Sequence, residues 1–207
     1  MKVELLAVTP DAERVVEEAG RTCYMSFDRM REGSEGVFIK NLLRAGHLSV
    51  LEHASATFRV SGASRAFTHQ LVRHRMCSFS QQSQRYVSEK GFRYTVPPSI
   101  ESGSDSMDVY RDAMNYLAGA YGKLLEMGIR KEDARYVLPN ACRSEIVFTA
   151  NFRQLRHMIG LRGEKKAQWE IREVFIEILK CLKSAAPACF YDFNIDETER
   201  VIKIKEE

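Results

Sequence analysis

No CxxC pair, no HExxH run, no GxGxxG turn and no P-loop occurs anywhere in this 207-residue sequence. Each absence excludes something. The five cysteines (Cys23, Cys77, Cys142, Cys181, Cys189) are odd in number and scattered, which argues against a disulfide framework. They read as small apolar packing residues. The histidines include no pair four apart on a helix, so no metal site is expected. Without the glycine-rich turn, a flavin or dinucleotide would have to be held by other means. No apolar run approaches the length that spans a bilayer. The opening MKVELLAVTP carries acid early and lacks a signal-peptide core, so a cytoplasmic protein with no membrane partner is expected. Charge imbalance is also small: 31 basic against 28 acidic residues leave +3, too little to imply nucleic acid as a partner.

A 44% hydrophobic, 29% charged composition is enough to bury a core, and the length fits one domain over residues 1–207. Thr9-Pro10-Asp11 predicts a helix start with proline at the first helical position. A helix is predicted over 37–44 with Gly46 as its stop, then a strand over 54–61 closed by Gly62. Residues 64–73 return to helical spacing, 76–84 read as an ordered loop, and 86–87 and 92–96 as short strands. The Gly, Ser and Asp of 100–108 predict a surface loop. Further helices are predicted over 108–127, 131–138, 152–162 and 164–185, with a β-rich run at 145–149. In the last helix Ile171, Val174, Phe175, Ile178 and Leu182 form a buried stripe. This non-alternating order predicts an α+β fold, a central and mostly antiparallel sheet flanked by helices.

What the chain has in excess is arginine in one place. Between Arg59 and Arg85 lie five arginines and two histidines, and no acid. Its centre is RHRMCSFSQQSQRY, residues 73–86. Guanidinium groups grip phosphate through paired charge-assisted bonds, and neighbouring hydroxyls and amides suit a sugar and a base. Gln70 and Arg73, three apart, are expected on one helix face. A nucleotide pocket and a polyanion-binding surface both remain open on spacing alone, although an arginine-only patch without lysine or acid favours the pocket.

The same run resembles the signature of the flavin-dependent thymidylate synthases: Arg-His-Arg, seven residues, Ser, then one residue and Arg-Tyr. Gly46 to His53 (GHLSVLEH), Val137 to Ala141 (VLPNA), Thr149 to Arg153 (TANFR), and Leu161-Arg162 with Ala167 to Ile171 (AQWEI) resemble further blocks of that family in the same order. The resemblance implies an enzyme that methylates dUMP to dTMP with FAD, taking carbon from 5,10-methylenetetrahydrofolate and reducing equivalents from NADPH. It implies a homotetramer whose sites are shared between subunits. It assigns dUMP to Gln70, Arg73, Gln81, Gln82, Ser83, Gln84, Arg85 and Arg162. It assigns FAD to Ser49, Arg73, His74, Arg75, Met76, Gln81, Asn151, Arg153 and His157. Arg162 is the expected catalytic residue, stabilising the ionised uracil N3. Plainer roles stay open: Ser83 closing a turn, Asn151 capping a helix, His157 packing in the core, Arg162 answering a helix dipole. His47 and His53 read as structural.

The chain departs from the family pattern at Ser80-Gln81, where Asn-Glu is common, at Lys166 in place of histidine, and at Glu145, where many members carry a basic phosphate ligand. Residues two apart share a strand face, so Arg143 is expected to supply that cation while Glu145 turns to a neighbouring arginine. The departures leave two alternatives: a member of the family acting on another pyrimidine nucleotide, and a non-catalytic nucleotide- or RNA-binding module.

Overall fold

The computed structural model describes residues 1–205. The fold is α+β with a mostly antiparallel sheet, as the sequence predicts. Strands β1 (Lys2–Val8), β2 (Ser55–Ser64), β3 (Cys77–Gln81) and β4 (Arg143–Asn151) form one sheet in the order β1-β2-β4-β3. A two-stranded antiparallel hairpin, β5 (Phe193–Asp196) with β6 (Val201–Ile204), pairs Phe193 to Ile204 and Asp196 to Val201. Among the described residues, no helix is long and apolar enough to cross a membrane.

The chain forms two compact units. The first holds Val3–Arg59, Val72–Phe79 and the described residues from Val147 on. Here α1 (Ala12–Thr22), α2 (Ser34–Arg44), α7 (Phe152–Arg162) and α8 (Trp169–Ala185) build the core. The predicted stripe of α8 is fully buried, and Ile176 and Leu179 join it. Phe152 at the start of α7 meets Phe190 edge to face, ring centres 5.2 Å apart; such a pair adds to plain area burial. On the sheet, Phe148 stacks with Phe58 at 5.7 Å. The α7 helix begins at its expected residue because Asn151 accepts the Gln154 N–H, 2.8 Å away.

It ends where Gly163 makes room. A methyl on Gly163 would stand 2.5 Å from the Ile202 Cβ, and Ile202 donates its N–H to the Gly163 carbonyl at 2.8 Å. The hairpin is thus seated directly on the end of α7.

The second unit holds Met1–Lys2, Val60–Leu71 and Ser80–Ile146. Its helices are α3 (Arg65–Leu71), α4 (Pro98–Glu101), α5 (Ser104–Glu126) and α6 (Lys131–Ala134). A small core of Phe92, Met114 and Cys142 is packed by Tyr94, Tyr110 and Leu138. Tyr121 is wholly buried, and its hydroxyl accepts the Glu89 N–H at 3.3 Å.

Several local expectations are corrected. The first helix opens at Ala12, after Pro10, and Asp11 takes a left-handed φ of 46° with no side-chain cap. The β2 strand runs through Gly62, which at φ 72° turns the backbone without ending the strand. Residues 77–81 form β3 and not a loop; residues 86–87 form no strand, and 92–96 contribute only a bridge from Tyr94 to Cys142. The expected loop at 100–108 is helical for most of its length, because Pro98 starts α4 and α5 begins at Ser104. The helix at 131 breaks after Ala134 into a 3-10 turn, and α8 starts only at Trp169, where the Gln168 side chain caps it.

Candidate functional site

In the first unit, α7 arrays three of the expected residues. Arg153 and His157, four apart on one face, line a cavity of about 540 Å³ together with Asn151 and Met76. Leu48, Leu51, Phe193 and Ile204 supply its apolar walls. That volume lies within the range of small-molecule and cofactor pockets, as does the mix of apolar wall and few polar groups. A second cavity of about 330 Å³ is lined by Ser49, His47 and Tyr24 and shares Leu48 and Arg153 with the first. Arg153 is held by Glu52, Nη1 to Oε1 2.5 Å. Asn151 also caps α7, so its structural role is real.

Beyond the last turn of α3 the chain passes through Arg73, His74 and Arg75. Arg73 therefore does not share a helix face with Gln70, because α3 stops at Leu71. Arg73 and Arg75 are exposed and, among the described residues, have no acidic partner. His74 differs: it is 5% exposed. Its Nε2 accepts a hydrogen bond from Arg162 Nε at 2.9 Å, and its ring meets His157 edge to face at 6.1 Å. Burial first, then the charge of Arg162 and the neighbouring His157, push His74 down to about 4. Burial also lowers Arg162, though an arginine stays charged at any ordinary pH.

In the second unit the expected nucleotide loop is braced by acids from outside the signature. Arg85 donates Nε and Nη2 to one oxygen of Glu132, at 3.1 and 3.0 Å, and Arg130 takes the other oxygen at 3.2 Å. Gln82 donates to Glu89 at 3.1 Å, Gln84 bonds the same carboxylate, and Gln81 donates to Thr68 Oγ1 at 2.8 Å. Ser83 Oγ accepts the Arg85 N–H at 3.3 Å, a turn contact. Gln70 donates to the Ala66 carbonyl at 3.3 Å. Burial raises the Glu89 carboxyl, and Arg65 and Gln84 pull it back.

On β4, Arg143 and Glu145 share the exposed face, Ser144 and Ile146 the buried one. Glu145 accepts from the Ser61 hydroxyl at 2.5 Å; its partner is that hydroxyl and not an arginine. Arg143 has no side-chain partner among the described residues.

The expected residues divide by unit: Gln70, Gln81 to Arg85 and Arg143 in one, Ser49, Arg73 to Met76, Asn151, Arg153, His157 and Arg162 in the other. Sequence reading missed Glu52, Glu89 and Glu132. Glu52 was within reach, since it lies in the GHLSVLEH block.

Residues 4–188 match the sequence model of the Thy1 family, thymidylate synthase complementing protein. The chain is 46% identical over 200 residues to a flavin-dependent thymidylate synthase of Geobacter sulfurreducens, covering 93% of this chain and 86% of that protein. It is 40% identical to another, from Clostridium tetani, covering 92% and 85%. This chain belongs to the flavin-dependent thymidylate synthase family. Solved structures agree with that placement. The UMP/dUMP methylase PolB from Streptomyces cacaoi, bound with 5-Br dUMP, superposes with a TM-score of 0.81 at 29% identity, over 92% of this chain and 93% of that one. Thymidylate synthase X from Helicobacter pylori, solved with FAD and dUMP, shares the fold, with a TM-score of 0.72 at 23% identity over 92% and 99%. The flavin-dependent thymidylate synthase signature is the segment that leaves α3 and runs through β3, so its arginines fall on turns, Ser78 and Ser80 on an edge strand, and Ser83 just beyond it.

Proposed function

We propose that this protein methylates dUMP to dTMP with FAD, drawing carbon from 5,10-methylenetetrahydrofolate and reducing equivalents from NADPH. The observation that carries the reading is the Arg162 guanidinium, held through Nε by a neutral histidine, on a helix whose preceding turns line a flavin-sized cavity. The residues present suit FAD: apolar walls for a ring system, Asn151 and His157 for its polar edge, and exposed Arg73 and Arg75 for a diphosphate. Ser49, His74, Met76, Gln81 and Arg153 complete that set. Bound FAD supplies the hydride; the protein orients and polarises. Gln70, Arg73, Gln81, Gln82, Ser83, Gln84, Arg85 and Arg143 bind dUMP, the arginines meeting its phosphate. Arg162 places fixed positive charge beside the uracil N3, which stabilises the ionised ring without reorganisation. The 207 residues act as one domain of a homotetramer with shared sites, in the cytoplasm.

Product analysis after incubation with dUMP, methylenetetrahydrofolate and NADPH tests this, with dTMP and yellow protein expected. A second reading has one observation in its favour: an amide at Gln81, bonded to Thr68, stands where the family commonly has a carboxylate. Methylation of UMP in place of dUMP would establish it. Protein that stays colourless with added FAD and makes no product would mark a binding module instead.

A further inference from the structure

An arginine has donors only and keeps its charge. The hydrogen bond from Arg162 Nε therefore requires a lone pair on His74 Nε2, so His74 is the neutral tautomer with its proton on Nδ1. The geometry around it enforces that state: His74 is buried, with a fixed cation at Nε2 and the centre of the His157 ring 6.1 Å from its own. The donor engaged is the inner one, Nε. The outer nitrogens, Nη1 and Nη2, have no protein acceptor among the described residues. Arg162 is the last residue of α7, where a long side chain would otherwise sample many rotamers. Anchoring Nε fixes the plane of the fork and leaves two parallel N–H groups for an external acceptor. A histidine that acted only on a flavin would not need its Nε2 turned to an arginine.

We propose that His74 is a positioning residue: its Nε2 lone pair orients the Arg162 guanidinium so that the outer edge faces the anionic pyrimidine ring. This rests on the synthase reading given above. It adds to His74 a task besides touching the flavin, and it makes neutrality of His74 a condition for turnover.

The test uses FAD-loaded protein. His74→Gln carries an amide oxygen to about the place of Nε2 and keeps an acceptor; His74→Leu removes it. For His74→Leu, kcat falls on the order of 100-fold, as for loss of one oriented donor, while flavin absorbance is retained and His74→Gln recovers most of the rate. Added to Arg162→Ala, His74→Leu costs nothing further, as expected of residues acting as a unit. Nitrogen NMR of the ligand-free wild type gives a readout independent of turnover: a coupling across the Arg162 Nε to His74 Nε2 hydrogen bond. Equal losses in the Gln and Leu variants, additive effects with Arg162→Ala, absence of the coupling, or loss of flavin with Arg162 unchanged would each overturn the proposal. Wild-type protein that makes no dTMP would overturn the synthase reading itself, and the two failures are distinguishable because the first leaves wild-type turnover intact.

Discussion

Arg85 gives two of its donors to a single oxygen of Glu132. If Arg85 receives the dUMP phosphate, as proposed, the pairing sets a carboxylate against that phosphate from 47 residues along the chain. About half of the Arg85 side chain is exposed, so the pair contributes little to stability, well under about 1 kcal/mol. Its effect is competition. Glu132→Gln is expected to tighten dUMP binding by roughly 3- to 10-fold, since each tenfold corresponds to 1.4 kcal/mol. Calorimetric titration with dUMP checks this, beside a melting curve that should hardly move.

Arg143 and Glu145 give a second contrast on dUMP affinity. Both occupy the exposed face of β4, but Glu145 is occupied by Ser61 and Arg143 is not. Arg143→Ala should weaken dUMP by roughly 10-fold or more, the cost of about one charge-assisted bond. Glu145→Gln should leave affinity unchanged or slightly improved. Equal losses from the two would reject Arg143 as the phosphate cation.

Stability should depend on pH through His74. In the folded protein it takes up a proton only near pH 4, whereas an unfolded chain does so near its ordinary value of about 6.5. Between those limits the unfolded state binds more protons, so stability rises with pH across this window and is complete above it. The groups facing His74 are Arg162 and His157, both of which oppose its protonation. Urea unfolding at pH 7 and pH 4.5 should differ by up to about 3 kcal/mol more in wild type than in His74→Gln.

Buried thiols predict a negative. Burial holds Cys77 at about 11 and Cys142 and Cys189 at about 12, far from the thiolate that attacks a ring. Cys189→Ala should keep methylation within roughly 3-fold while lowering the melting temperature by a few degrees. A loss of on the order of 100-fold in kcat, measured on folded protein, would make Cys189 a participant.

Much of this was legible in the chain, and the exceptions share a cause. The bounds of α7 followed from a cap at Asn151 and a stop at Gly163, and the α8 stripe from spacing; both signals are local. The β3 strand was hidden because its inward residues, Cys77, Phe79 and Gln81, alternate with serines, a contrast too weak to read as period two. Composition misled at 100–108, where Ser, Gly and Asp serve helix starts. In the site, the arginines were visible and their counter-ions were not. Glu132 and Glu89 are ordinary surface-looking acids until folding delivers them, and Glu145 found a hydroxyl because pairing is settled by neighbours in space.

Gly163→Ala should destabilise by about 1 to 3 kcal/mol, since an added methyl overlaps Ile202. Ile202→Gly, which removes both overlapping atoms, Cβ and Cδ1, should cost less in Gly163→Ala than in the wild type when read in a thermal melt. Full additivity of the two changes would show that they do not meet.

The match to the family model ends at residue 188, before the hairpin, and Ile202 of that hairpin rests against the residue next to Arg162. A late stretch of the chain thus packs against the end of the helix that carries Arg162. Trimming it would remove Phe193, Val201 and Ile202, which are buried against the rest of the fold, so a shortened chain should melt earlier as well as turn over more slowly.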